Sequence, residues 1–440
     1  MVPIRTLLSG LLGAAALLIP VHPTTATAPA TATATAAEDG RTVDYHGLRL
    51  TVPGHWRVVD LDRNPGACLR LDLPTLYLGP AGTQAECTGR AVRSRADTLH
   101  LEPLEGAPQR ADIPTVRVEV PGAIPEPQSD SNEVRYALRR PGVMATLSYG
   151  TTPDAVRGLL AGARTGDSAA PGAPGAPADP ASAVTGPKPV RAQEPFTGAG
   201  FDACTAPTQR AMDGWRAASP FGAVGIYIGG RARACAQPRL TAGWVRRQAE
   251  AGWHLMPLWV GPQPWNNPAT GLSADPSRAN QEGMEAAEGA VTVARSLGLT
   301  EGTVLYNDLE SYTDRTTWDP PVVAYLTAWT VRLHELGYRA GAYVAASSGA
   351  KALGAHHDQA PEAMPDVLWV AVWNGRASVS DADTGLPAGT HQWAGRRRAH
   401  QYLGNHDDTH DGVTLNIDSS WIDIDPAASS GPAPRRPLFS

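Results

Sequence analysis

After its first twenty residues the sequence has no long apolar run, no dense basic stretch, no serine-hydrolase elbow and only four cysteines, and each shortage removes a class of function. Without some 18 or more consecutive apolar residues, no transmembrane helix is expected in the mature chain. The net charge is −6 and the basic residues are scattered apart from Arg396-Arg397-Arg398, which argues against a nucleic-acid partner. Tyr343-Val344-Ala345-Ala346-Ser347-Ser348-Gly349 lacks the Gly-x-Ser-x-Gly form of a nucleophile elbow. The glycines between Gly222 and Gly230 fall short of a nucleotide-binding pattern and in part simply flank a strand. His406-Asp407-Asp408-Thr409-His410-Asp411 is rich in oxygen and nitrogen ligands but matches no metal-ligand spacing, so it reads as a solvated surface loop, with a metal-dependent hydrolase as the alternative. No metal and no cofactor are expected. Cys68 and Cys87 lie in the first half, Cys204 and Cys235 in the second. In an oxidising compartment the simplest pairing is one disulfide within each half; four reduced thiols is the alternative.

What is present begins with a leader. Arg5 supplies a positive start, Leu7 to Pro20 is a short apolar core, and small residues up to Ala37 offer cleavage sites, so residues 1–37 read as an export signal. A single Arg favours the general secretory route over the twin-arginine route. Residues 41–164 form a small, mostly β domain. Val116 to Val120 alternates cleanly, and Val134 to Leu138 with Val143 to Tyr149 suits a hairpin across Arg140-Pro141-Gly142. Only Pro153 to Ala163 looks helical there, and no cluster of catalytic residue types is visible. Residues 165–197 are Ala, Pro, Gly and Ser with few apolar anchors, the composition of a linker. Residues 427–440 read as a disordered tail.

From Gly198 to Pro426 strands alternate with helices, and eight strands in about 230 residues predict an α/β fold, a (β/α)₈ TIM-like barrel. Thr303-Val304-Leu305-Tyr306-Asn307-Asp308-Leu309-Glu310 is the informative stretch: a buried strand that ends in two carboxylates. Residues two apart share a face, so Asp308 and Glu310 lie roughly 6.6 Å apart along the backbone. Carboxylates held close raise one another's proton affinity, which suits acid-assisted glycosidic cleavage. Barrel sites collect at the C-terminal strand ends, and polar residues recur there. Asp202 closes the first strand and Tyr227 the second, Gln263 and Trp265 follow the third, and Asp308 with Glu310 closes the fourth. Tyr343 lies near the end of the fifth, Trp373 ends the sixth, Gln401 and Tyr402 the seventh and Asp418 the eighth.

The set Gly200-Phe201-Asp202-Ala203-Cys204, Tyr227-Ile228-Gly229-Gly230, Val260-Gly261-Pro262-Gln263, Tyr306-Asn307-Asp308-Leu309-Glu310 and His400-Gln401-Tyr402 resembles an exported, mostly actinobacterial glycoside-hydrolase-like family of unknown function. More distantly it is similar to the family 25 lysozymes, secreted (β/α)₈ muramidases. Their first-strand Asp, Asp-x-Glu pair and late Trp-Gln-Tyr followed by Asp correspond here to Asp202, Asp308 with Glu310, and Asp418, with His400 in place of the Trp. The resemblance implies a secreted or wall-associated monomer that acts on peptidoglycan or another cell-wall polysaccharide. Glu310 would be the general acid, Asp308 its helper, and Asp202 and Asp418 would orient sugar or water. Trp265, Tyr306, Tyr343, Trp373 and Tyr402 would offer stacking faces, with Tyr227, Gln263 and Gln401 also at the substrate. The alternative is a catalytically silent barrel that binds cell-wall glycan.

Overall fold

The structure, a computed structural model, describes residues 40–89, 91–110, 112–122, 124–125, 131–166, 188–190 and 194–428. The export signal, most of the linker and the tail from residue 429 lie outside these residues.

Within the first domain, β1 (Arg41–Tyr45), β2 (Leu48–Val52) and the short β9 (Arg164–Thr165) make a three-stranded sheet. A six-stranded sheet is built from β3 (Arg57–Asp60), β4 (Thr75–Leu78), β5 (Thr98–Pro103), β6 (Thr115–Val118), β7 (Glu133–Leu138) and β8 (Val143–Ser148), in the order β3-β4-β5-β8-β7-β6. The hairpin read from the sequence is β7 with β8. Side chains alternate across a strand, so Val134, Tyr136 and Leu138 face one way with Leu99, Leu101 and Leu147. That face packs on Val156 and Leu160 of α1 (Asp154–Ala161) and on β2, forming the domain's core.

The opposite face carries Thr98, His100, Glu102, Glu133, Arg135 and Ser148. A face of this composition is ordinarily solvated, yet Glu133 is only 1% exposed and Arg135 2%. The reason is that a barrel loop around Ala232 to Pro238 covers it. Leu71 N–H bonds Ala234 O at 2.9 Å, Ala236 N–H bonds Leu69 O at 3.0 Å, and Val92 N–H bonds Ala232 O at 3.0 Å. Glu133 lies between Arg95, at 3.2 Å, and Arg233 of the barrel loop. Burial alone would raise the Glu133 carboxyl, but the charges of Arg233 and Arg95 outweigh it and hold the group below its ordinary value. The described residues from 40 to 428 accordingly belong to one compact unit.

The second domain is a closed barrel of eight strands: β10 (Phe196–Asp202), β11 (Phe221–Gly229), β12 (His254–Trp259), β13 (Val304–Leu309), β14 (Arg339–Ala345), β15 (Val367–Ala371), β16 (Arg397–His410) and β17 (Val413–Ile424). Strands β10 to β16 pair in parallel with their neighbours, and helices α2 (Gln209–Ala218), α3 (Ala242–Glu250), α4 (Pro276–Ser296), α5 (Arg315–Glu335) and α6 (Gly349–His356) follow the first five strands. Thr208, Thr241, Asp275 and Asp314 cap the starts of α2 to α5, each accepting a backbone N–H from the first turn. Between β15 and β16 lies the four-residue α7 (Asp381–Thr384). The barrel interior is filled by Tyr227, Leu258, Tyr306, Trp369 and Ile422. Gly341 makes room for Tyr306, since a Cβ there would fall 2.2 Å from its ring.

The eighth strand departs from the all-parallel pattern: β17 runs antiparallel to both β16 and β10. Only Asp411 and Gly412 connect β16 to β17. Two residues cannot carry a parallel crossover, and their φ values of 50° and 69° belong to the mirror-image turn that closes hairpins. His406 to His410 therefore belong to β16 and Asp411 to the turn, not to the surface loop expected from the sequence. The arm folds back along the barrel wall, where His410 meets Trp215 with ring centroids 4.9 Å apart.

Candidate active site

The strand ends at the rim bring the predicted residues together. The register sets Asp202 directly opposite Asp418 across β10 and β17. Like charges on opposed residues repel, and protein donors offset the repulsion. Tyr227 donates its hydroxyl to Asp202 Oδ1 at 2.7 Å. Gln401 Nε2 donates to Asp202 Oδ2 at 3.0 Å and to Asp418 Oδ2 at 3.4 Å, while the backbone N–H of Asn405 donates to Asp418 Oδ1. The amide of Gln401 is fixed from its other end, where Oε1 accepts from Tyr343 Oη and from Trp373 Nε1, each at 2.9 Å.

Strand β13 delivers the other two acids. Asp308 is 1% exposed and pairs in register with Tyr343 of β14, whereas Glu310 follows the strand end and is half-buried. Gln263, itself fully buried, fastens this end by accepting the Glu310 N–H at 2.8 Å and donating to the Asp308 carbonyl at 2.7 Å. Tyr343 registers all four acids at once. Burial first, and then the charges of Glu310, Asp308, Asp202 and Asp418, push its phenol well above the ordinary value. The charges of four carboxylates, from three strands and one strand end, thus all bear on this phenol, whose hydroxyl is tied through Gln401 to Asp202 and Asp418.

The expected stacking aromatics divide by environment. Trp373 is 64% exposed, its indole pinned by Gln401 and laid against Gly404, where a Cβ would come within 2.2 Å of ring carbons. Tyr306 is fully buried beneath the rim, edge-on to Trp369 at 5.7 Å. Trp265 bonds Thr270 at 2.9 Å and has the Arg93 guanidinium 5.4 Å from its ring centroid. Tyr402 is half-buried, 6.2 Å from the ring of His400. His400, in the place of the lysozyme Trp, is fully buried with ring nitrogens 2.7 and 2.8 Å from the carbonyls of Ser378 and Val372, so it offers no stacking floor.

Residues 213–422 match the family model of the Rv2525c-like, glycoside hydrolase-like domain. Over that stretch the barrel is similar to the Rv2525c-like domain. The matched stretch contains Asp308, Glu310, Gln401 and Asp418 but begins after Asp202. Similar solved structures include an uncharacterized B. stearothermophilus protein, at 20% identity and TM-score 0.36, covering 51% of this chain and 95% of that one. The Mycobacterium tuberculosis Tat-secreted protein Rv2525c in complex with L-tartrate is 14% identical with a TM-score of 0.36, covering 52% and 96%. The catalytic domain of endolysin ply40 from bacteriophage P40 of Listeria monocytogenes is 14% identical with a TM-score of 0.32, covering 52% and 93%. No curated protein matches the chain.

Two features of the rim were not read from sequence. Asn405 enters through its backbone, at φ 45° where β16 slips register, and Gly404-Asn405 inside an alternating strand is the signal that marks such a bulge. The first domain also reaches this rim. The Gly89 carbonyl oxygen lies against Cys204 Sγ, two residues beyond Asp202, and Gln84 bonds Thr205 at 3.4 Å. The cysteines form two bridges, Cys68–Cys87 and Cys204–Cys235, and Cys68 Sγ lies 3.5 Å from Cys235 Sγ across the domain boundary.

Proposed function

We propose that the chain is an exported glycoside hydrolase that cleaves peptidoglycan or a related cell-wall polysaccharide with acid assistance. The carrying observation is that Asp202 opposite Asp418, Asp308 beside Tyr343, and Glu310 just beyond the end of β13 stand together at the C-terminal rim of a glycoside hydrolase-like barrel, with Gln401 linking Tyr343 to Asp202 and Asp418. Glycosidic cleavage needs one carboxyl to protonate the leaving oxygen and negative charge near the developing oxocarbenium ion. Glu310, half-buried at the open end of β13, takes the first role. Asp308, enclosed beneath the same strand end, supplies the second. Asp202 and Asp418, bridged by Gln401, orient a sugar hydroxyl or a water, and Trp373 offers an exposed indole to a pyranose face.

The test is mass spectrometry of the products released from purified peptidoglycan by the mature protein and by its Glu310→Gln variant. Muropeptides with new reducing ends are expected from the wild type, and about 10²–10⁴-fold fewer from the variant, the usual weight of a general acid. Undiminished release by a folded Glu310→Gln protein would remove Glu310 from this role. One observation favours a second reading, a barrel that binds glycan without turning it over: Asp202 is fully buried and both of its oxygens accept protein donors. Silence from both proteins, with the wild type still pelleting with wall material, would support it.

A further inference from the structure

Where the first domain meets the barrel rim there is a cavity of about 650 Å³ lined by both, with Arg57, Arg70, Glu86 and Gly89 on one side and Trp373 and Asn405 on the other. Sites for small ligands span roughly 300–1,000 Å³, so the space suits a short glycan segment. Its barrel side is the outer surface of the acid cluster, because Trp373 bonds Gln401 and the Asn405 N–H holds Asp418.

The opposite side is fixed in place. Backbone bonds from Leu69, Leu71 and Val92 to the Ala232–Ala236 loop, together with the buried Glu133 between Arg95 and Arg233, hold the first domain on the rim. A module docked this way is a wall of the site. Its chemistry is also defined. Arg70 spends its guanidinium on Asp72, with Nε 3.0 Å from Oδ1, and on the Thr88 carbonyl. Glu86 rests against Gly66, 3.0 Å from where a Cβ there would stand. Arg57, from the edge strand β3, is exposed and has no acidic partner among the described residues. A glycan that carries carboxylates would meet repulsion from the four acids of the barrel; an arginine across the cavity offsets it with a charge-assisted hydrogen bond.

We propose that the first domain forms one wall of the glycan-binding cleft and that Arg57 on this wall binds a carboxylate group of the glycan. The proposal rests on the reading of the barrel as a glycan site and adds the substrate class: a β-linked polysaccharide with carboxylate substituents, in preference to a neutral one.

The experiment is calorimetric titration with two soluble probes of equal length, neutral chitotetraose and an alternating N-acetylglucosamine–N-acetylmuramic acid tetrasaccharide, whose lactyl groups carry the carboxylates. The Glu310→Gln background keeps both intact. Arg57→Gln is expected to weaken the carboxylated probe roughly tenfold or more, the value of one charge-assisted bond, and to leave the neutral probe unchanged. Arg57→Lys should recover part of the loss. Trp373→Ala should weaken both. If Arg57→Gln binds the carboxylated probe as tightly as its parent while Trp373→Ala loses it, the first-domain wall is overturned and the glycan site stands. If neither probe binds the parent protein, both readings are overturned.

Discussion

In the first domain, Glu133 is buried between two arginines, Arg95 and Arg233; at the barrel rim, Asp202 is buried opposite another acid, Asp418, and takes its hydrogen bonds from the neutral groups of Tyr227 and Gln401. Both regions take charge out of water, which is costly unless something answers it. The first answers charge with opposite charge, and the outcome is a docked interface. The second gathers acids and restrains them with the dipoles of Tyr227 and Gln401, with the half-buried Glu310 and the exposed Trp373 at its outer edge. Compensated burial marks assembly, and concentrated burial of one sign marks a site for chemistry or recognition. His254, at the start of β12, shows a third course: burial pushes its imidazole down to about 4 despite the opposing hydrogen bond from the Glu194 backbone, so it stays neutral.

This contrast can be broken at each point. Glu133→Ala leaves Arg95 and Arg233 facing one another without an anion, and is expected to cost about 3–5 kcal/mol of stability by urea denaturation. A loss below about 1 kcal/mol, the range of an exposed pair, would mean that the triad does not hold the domains together. The His254 pKa lies below its unfolded value of 6.5, so its contribution is fully present above pH 6.5 and is lost as pH falls towards 4. Up to about 3 kcal/mol should disappear across that window. A His254→Asn variant should lack this part of the acid slope, and an identical pH profile would assign the slope elsewhere. The smallest effect separates the regions most sharply. Asp418→Asn removes one of two opposed acids and should leave stability unchanged or raise it by up to about 1 kcal/mol, where Glu133→Ala lowers it.

The barrel was legible because its signals are local. Apolar runs followed by capped helices repeat from Phe196 to Ala345, and the acids stand at the strand ends where the fold puts its sites. The antiparallel eighth strand was missed although Asp411-Gly412 is a strong hairpin signal, because the preceding βα repetition made a crossover the expectation. The fate of the first domain's polar face was not legible at all. The pattern in Glu133-Val134-Arg135-Tyr136 states that alternate residues are polar, but not whether water or Arg233, a hundred residues later, covers them. Gln263 had a similar ambiguity: a Gln at a strand end reads as a substrate contact, and only the structure shows its amide spent on the backbone of Asp308 and Glu310.

Because β17 returns antiparallel beside β10, Phe196 and Ile424 stand as partners in one ladder, at the end of the barrel away from Asp202 and Asp418. The domain therefore has its entrance and exit on one side and its carboxylate cluster on the other. A tag joined to the chain just after Ile424 would start from the pole opposite the carboxylates.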